Sequence, residues 1–400
     1  MTGTNGPPIP PGRCHNRGMA GIGHTAIGAW SGGRVMHFGV PLDDARLEAL
    51  LRPGDDICTV VTADVYAEGE ADRIVGRATA GLDRGSYCIA AAIGHDFVNG
   101  VRQGSSGYPR FTSPALRGED AYRDYLFGAL EASLERLGTD HVDLVMLHNP
   151  DRIGYTSEVV WRAMGDLRAE GLAHMIGIAP GPANGFTLDL IGCVEAFGSE
   201  MDWAMIILNP FEPWPGRLAL PALEQHGVKV LARVVDYGGI FHGDLPDEDG
   251  LAPGDHRAFR PAGWVAAGRA RLAAVQPIAA RHGVTPLQLA AQWTLAQPAV
   301  HCVVPTFIQE AGEGHKAVED QRRELATTPA EIVLTAADLA EIDRLGDNHG
   351  SMRLKGGTPS HDGDPMPDSW PMEADLEAVA RRWGIDPDRD LVHLGSGVRA

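Results

Sequence analysis

Eight short apolar runs recur along the chain, separated by longer stretches of helical periodicity. They are residues 25–30 (TAIGAW), 56–63 (DICTVVTA), 87–94 (YCIAAAIG), 141–150 (HVDLVMLHNP), 175–180 (MIGIAP), 203–210 (WAMIILNP), 228–236 (VKVLARVVD) and 301–307 (HCVVPTF). None alternates strictly between apolar and polar, which is the pattern of strands buried on both faces of a parallel sheet. Between them, residues 121–138 place Tyr122, Leu126, Ala129, Leu130, Ser133 and Leu137 on one helical stripe, and Gly138 ends it. Residues 158–171 repeat the device with Val160, Met164, Leu167 and a terminal Gly171, and 218–227 and 286–298 read the same way. Eight strands alternating with helices predict an α/β fold that closes as a (β/α)8 TIM barrel. A doubly wound open sheet is the alternative, but no G-x-G-x-x-G turn follows the first strand.

Two segments break the pattern. Residues 96–119 are rich in Gly, Ser and Pro and predict a long loop after the third strand, and residues 347–371 predict another. A short amphipathic helix, 372–384, follows the second. The expected division is one barrel over 1–345, and a C-terminal loop and short helix over 346–400 packed on it. Both long loops are expected at the barrel mouth or in part disordered.

Composition narrows the partners. The chain of 400 residues is 44% hydrophobic and carries a net charge of −19. Such an acidic surface repels phosphate backbones and anionic lipid, so neither nucleic acid nor membrane is an expected partner. No apolar run reaches the roughly 18 residues of a membrane helix, and residues 1–18 lack the apolar core of a signal peptide. The five cysteines, Cys14, Cys58, Cys88, Cys193 and Cys302, are scattered, and Cys58, Cys88 and Cys302 lie in apolar runs. Reduced core thiols in a cytoplasmic protein are the expectation. The oligomeric state is open.

Residues 126–151, LFGALEASLERLGTDHVDLVMLHNPD, closely resemble the aldo-keto reductase superfamily. The family motif is a helix ending S-L-x-R-L-G, then D-x-x-D-L, then a strand closing L-H-x-P-D. The resemblance extends more weakly over about residues 20–345. It implies a TIM barrel with NADP at the C-terminal mouth. It also implies a tetrad of Asp, Tyr, Lys and His that protonates a carbonyl as hydride arrives. The family's D-T-A-x-x-Y falls on VTADVY, placing the tyrosine at Tyr66 and Val61 at the aspartate position. Its I-A-T-K-V-G falls on IAAAIG, with Ala92 at the lysine position, and its histidine is His148. A phenol with an ordinary pKa of ~10 is a poor acid-base at neutral pH. In the family a lysine ammonium held by the aspartate lowers it. The two losses are complementary, because an aspartate without its lysine would be a costly buried charge.

The implied cofactor contacts change as well. The fifth-strand S-N pair is here Ala179-Pro180, the sixth-strand glutamine is Met205, and the aromatic stacked on the nicotinamide is Arg233. The phosphate clamp after strand eight keeps Pro305 but has Thr306 for glycine, with Lys316 and Arg322 as the cations within reach of a phosphate. Whether NADP binds is therefore open.

Tyr66 and His148 are the expected catalytic pair. Each also has a purely structural alternative, a tyrosine capping the core and a satisfied core histidine. Asp64, His95, Asn149, Asn209, Trp214, Arg233 and Asp236 are the expected substrate-binding residues, and Thr306 and Lys316 the expected cofactor contacts, because barrel chemistry concentrates at strand ends. Arg233 is anomalous inside an apolar strand. It is either ion-paired to Asp64 or Asp236, or a handle for a carboxylate or phosphate. His95, His148, Asp236 and His242 show no metal-ligand spacing, and no metal is expected. The expected function is Tyr/His acid-base chemistry on a small polar substrate, which Arg233 would make an anion. It would be a non-redox elimination, isomerisation or cyclisation and not standard NADPH carbonyl reduction. The alternatives are an NADP-dependent oxidoreductase with altered contacts, and a catalytically silent binding or regulatory protein, a role that the family's potassium-channel β subunits take.

Overall fold

The protein is described here by a computed structural model covering residues 15–16, 19–103, 107–181, 186–260, 262–348 and 372–391. Eight parallel strands form the barrel: β1 Ala26–Gly28, β2 Thr59–Ala63, β3 Cys88–Ile93, β4 Val142–His148, β5 Ala173–Ala179, β6 Trp203–Ile207, β7 Lys229–Arg233 and β8 Val300–Val304. They follow one another in sheet order, and a parallel bridge between Thr25 and Val303 closes β1 onto β8. All eight expected strands form, each ending short of its run where it passes into a mouth loop, while β5 starts two residues and β8 one residue before the run.

Strand parity divides the core into two. Val60, Ile89, Val145, Ile176 and Val230 face the surrounding helices. Ala26, Val61, Ala63, Ala90, Ala92, Leu144, Met146, Trp203, Met205, Leu231, Cys302 and Val304 form the barrel interior. Several interior positions are small because eight strands converge there. Gly177 shows the constraint directly: a Cβ there would lie 2.3 Å from the Trp203 carbonyl oxygen on β6.

The helix Tyr122–Leu137 buries Tyr122, Leu126, Leu130, Ser133, Leu134 and Leu137, as its stripe requires. It stops at Gly138 (φ 69°), whose N–H turns back to the Leu134 and Glu135 carbonyls. Its Ser133 hydroxyl donates to Asp72 at 2.6 Å, and Arg136 reaches the same carboxylate at 3.0 Å. Helices Asp44–Leu51, Glu70–Thr79, Glu158–Ala169, Thr187–Phe197, Gly216–Gln225, Trp264–Arg281, Pro286–Leu295, Val318–Ala326 and Ala336–Gly346 also lie around the barrel.

The expected C-terminal helix forms over Ala374–Trp383 and packs on Thr187–Phe197. Arg382 Nε donates to Glu195 at 2.9 Å, the Trp383 indole donates to Glu195 at 3.0 Å, and Arg152 joins Asp189 to Asp375. Most of the expected loop 347–371 lies outside the described residues, as does Cys14. One expectation is corrected: Cys58 is disulfide-bonded, not a reduced thiol, and its partner lies outside the described residues. Spacing in the sequence carries no record of which chain ends meet. Cys88 and Cys302 are free and buried as expected.

Replacing Gly177 by Ala is expected to lower the thermal midpoint by several degrees in a circular-dichroism melt, since overpacking costs roughly 1–3 kcal/mol. An unchanged midpoint would mean that the β5–β6 approach is looser than described.

Candidate active site at the barrel mouth

β4 and β7 end in the two residues that define the mouth. His148 continues the inward parity of Leu144 and Met146, and Arg233 continues that of Leu231. Tyr66 follows β2 and packs edge-on against both the Trp30 and His148 rings, with centroids 6.2 and 5.7 Å away. The interior cluster on which Tyr66 packs includes Val61 and Ala92, 0% and 1% exposed. The floor of the site is therefore apolar and carries no charge of its own.

The backbone is strained around these side chains. Ala67 and Glu68 after Tyr66, Asn149 after His148, and the β-branched Val234 after Arg233 all have positive φ. Such conformations persist only where surrounding structure over-determines them. Part of that support comes from Asn209, whose amide donates to the Val234 carbonyl at 3.0 Å.

The electrostatics are one-sided. Among the described residues Arg233 makes one long contact, 3.5 Å from Nη2 to the Pro180 carbonyl, and its buried Nε has no acceptor. Neither Asp64 nor Asp236 pairs with it among the described residues, so the ion-pair alternative is not what forms. Burial depresses the Arg233 guanidinium, with Tyr66 opposing. Burial raises the Tyr66 phenol above its ordinary value, and Arg233 partly offsets this. His148 falls to about 3, first through burial and then through the Arg110 and Arg233 charges, and its Nδ1 has no partner. Tyr66 and His148 are thus both neutral at neutral pH.

The mouth also gathers His95, Asn149 and Arg110. His95 packs on His148 with centroids 4.9 Å apart, and its Nε2 lies 3.3 Å from the Asn149 amide. Its pKa is well below ordinary through burial, Arg110 and His148. The sequence did not single out Arg110. Nothing in one sequence separates it from Arg102 or Arg117 on the same loop.

Other expected residues are turned to local work. Asp64 takes the outward parity of Thr62. Burial and the neighbouring Asp72 push its carboxyl well up, and its Oδ1 has no partner. Both Asp236 oxygens accept backbone N–H groups, from Gly239 at 2.8 Å and Thr306 at 2.7 Å. Asn209 accepts from the Phe211 and Glu212 N–H groups and donates to Glu212. The Trp214 indole donates to the Asp390 carbonyl at 2.7 Å, under the C-terminal segment. Of the four residues weighed as metal ligands, the structure joins His95 to His148, whereas His242 Nε2 is bonded to the Thr306 carbonyl at 2.8 Å.

A nicotinamide dinucleotide needs N–H donors and free cations for its phosphates. After β8 the first of these are already used. The Thr306 N–H goes to Asp236, that of Phe307 to Ser31 Oγ and that of Ile308 to Gln321, and the Thr306 hydroxyl takes the Trp30 indole N–H. The loop after β1 lies on the same segment, with the Val40 N–H on the Gln309 carbonyl at 2.7 Å. Lys316 is bound by Glu324 at 2.8 Å, and Arg322 by Asp56 at 3.0 Å. Nearby, Arg257 is buried between Asp255 and Glu310. These residues do not fit the cofactor as the family holds it.

The aldo/keto reductase family model matches residues 56–318, well over half of the chain. The chain belongs to the aldo/keto reductase family. A probable voltage-gated potassium channel subunit beta from Arabidopsis thaliana is 26% identical over 76% of this chain and 90% of its own. A methylglyoxal reductase from Escherichia coli O157:H7 is 25% identical over 59% of this chain and 77% of its own. Among solved structures, a glycerol dehydrogenase from Gluconobacter oxydans superposes with a TM-score of 0.62 at 20% identity, covering 87% of this chain and 97% of its own. That likeness carries the fold. No helix among the described residues is long and apolar enough to cross a membrane.

Titrating the protein with NADPH and following nucleotide fluorescence is expected to show no saturable binding in the micromolar range. Saturation there would mean that the β8 segment opens. His148 gives a second expectation. Its folded pKa of about 3 lies below the ordinary 6.5, so between these values the unfolded chain binds the extra proton. Its contribution is complete above pH 6.5 and is lost as pH falls toward 3. A His148→Gln variant should therefore lose less stability than the parent between pH 6.5 and 4 in urea melts; parallel losses would show that His148 is not held neutral.

Proposed function

We propose that this family member is an enzyme that uses Tyr66 and His148 on a small anionic substrate, in proton-transfer chemistry that needs no nicotinamide. The observation that carries this reading is Arg233, a cation facing into the mouth with one 3.5 Å contact and no carboxylate among the described residues. A buried cation without a counter-charge costs several kcal/mol. A chain with 53 acidic residues had ample means to place one beside it. A carboxylate or phosphate on the substrate supplies what the fold omits, and the planar guanidinium suits either.

With the acid group held there, a substrate carbonyl falls between the Tyr66 hydroxyl and the His148 imidazole. Two neutral donors aimed at an oxygen that becomes negative stabilise an enolate, each worth roughly 3–4 kcal/mol where water is excluded. Tyr66 lends its proton to that oxygen, and its phenolate, whose charge Arg233 offsets, takes the proton from the adjacent carbon, so the Cα–H bond breaks as the enol O–H forms. Isomerisation, elimination and cyclisation all pass through such an oxyanion, and none moves electrons to a second molecule. The apolar Val61 and Ala92 suit a site that never binds a hydride donor. A nicotinamide-dependent reductase is the second reading. Family membership favours it, and the occupied donors after β8 weigh against it.

The test is cofactor-free exchange of α-protons with solvent deuterium, followed by NMR on a panel of small keto acids and sugar phosphates. At least one acid is expected to exchange, with Tyr66→Phe slower by about 10²–10³-fold and Arg233→Met impaired mainly in KM. NADPH-dependent reduction of simple aldehydes with no exchange on any acid would overturn the proposal.

A further inference from the structure

We infer that the mouth carries a second anion subsite, built by Arg110, and that the substrate is a short molecule with two acidic groups, one on Arg233 and one on Arg110. This rests on the reading of the mouth as an anion site.

The loop that brings Arg110 is fixed at the end of β3. His95 and Arg110 form an antiparallel bridge. The Asp96 N–H reaches the Pro109 carbonyl at 2.9 Å, and the Phe111 N–H reaches the Gly94 carbonyl at 3.0 Å. Arg110 is therefore placed by backbone, not by a flexible tip.

Its guanidinium is partly used. Nε donates to the Asn149 carbonyl. Nη1 donates to the Tyr108 carbonyl at 3.1 Å and lies 3.2 Å from His95 Nδ1. Nη2 has no partner among the described residues, and no carboxylate pairs with the group. Other mouth arginines are treated differently: Arg117 is tied to Asp96, and Arg260 to Glu212. Among the described residues neither Arg110 nor Arg233 is hydrogen-bonded to a carboxylate, although the Asp151 charge acts on Arg110.

The two cations share one backbone junction. Arg110 is anchored on the carbonyl of Asn149, and Arg233 leans on that of Pro180. The Asn149 N–H donates to the Ala179 carbonyl at 2.7 Å, joining the ends of β4 and β5. One to two strand spacings, roughly 5–10 Å, therefore separate the anchors. That matches the reach between acid groups on a skeleton of a few carbons. Both charges act on His148, whose ring packs edge-on against Tyr66. Each guanidinium has donors with no carboxylate on them among the described residues, and a dianion supplies an acceptor to both at once. A monoanion would leave one of them uncompensated. A carboxylate and a phosphate are equivalent for this argument, since each accepts two N–H donors.

Calorimetric titration of the full chain with acetate, succinate, glutarate, inorganic phosphate and phosphoglycolate tests it. A diacid is expected to bind about tenfold tighter than acetate or more, the effect of one added charge-assisted pair. Preference for phosphoglycolate over the dicarboxylates would assign the second group to phosphate and support the subsite. Arg110→Met should collapse the diacid-to-acetate ratio toward one, and Arg110→Lys should retain part of it, which separates charge from loop support. Arg233→Met should remove acetate binding. Diacid binding no tighter than acetate, or an Arg110→Met ratio equal to that of the parent, would overturn the second subsite while leaving the single-anion reading intact. Absence of binding by every anion would overturn both.

Discussion

Inward and outward parity along eight parallel strands governs everything at the mouth. Closure between Thr25 and Val303 fixes each strand against its neighbours, so a side chain either enters the barrel or meets a helix. A shift of one residue would exchange the two sets. His148 and Arg233 act from the inner set. Asp64, three residues beyond Val61, falls in the outer one, where its carboxyl is buried away from both.

The interior below the mouth is small and uncharged, and this sets the electrostatics above it. With Val61 and Ala92 in place of charged groups, no fixed counter-ion lies under Tyr66. Burial, and after it the Arg110 and Arg233 charges, keep the His148 imidazole neutral, and burial keeps the Tyr66 phenol protonated. The site is ordered as a set of neutral donors beside unpaired cations. The polar groups after β8 follow the same logic in reverse. They are spent on Asp236, Ser31 and Gln321, and so lock the loops after β1 and β7 onto the barrel.

The hydrophobic pattern made the barrel legible, because strands buried on both faces read as continuous apolar runs and each needs a helix to return. The dense motif around His148 made the family legible. Arg233 stood out because a charge inside an apolar strand has few explanations. Asn209, Asp236 and Trp214 were legible only as polar or aromatic residues near strand ends. Their hydrogen bonds to turns and to the C-terminal segment depend on chain parts far apart in sequence. Arg110 was silent for the same reason: its value comes from Asn149, 39 residues away, whose carbonyl it holds.

The sequence by itself determined the family, since the motif around His148 carries register, and that resemblance implies Tyr66 and His148 at catalytic positions, with Val61 and Ala92 at those of the ion pair. It also determined the period that builds a barrel. Only the tertiary structure decided which charges are paired. Arg233 could have met Asp64 or Asp236, and does not, because Asp64 faces the helices and Asp236 is held by two backbone N–H groups. Pairing depends on where side chains point after closure, and no single stretch of sequence contains that.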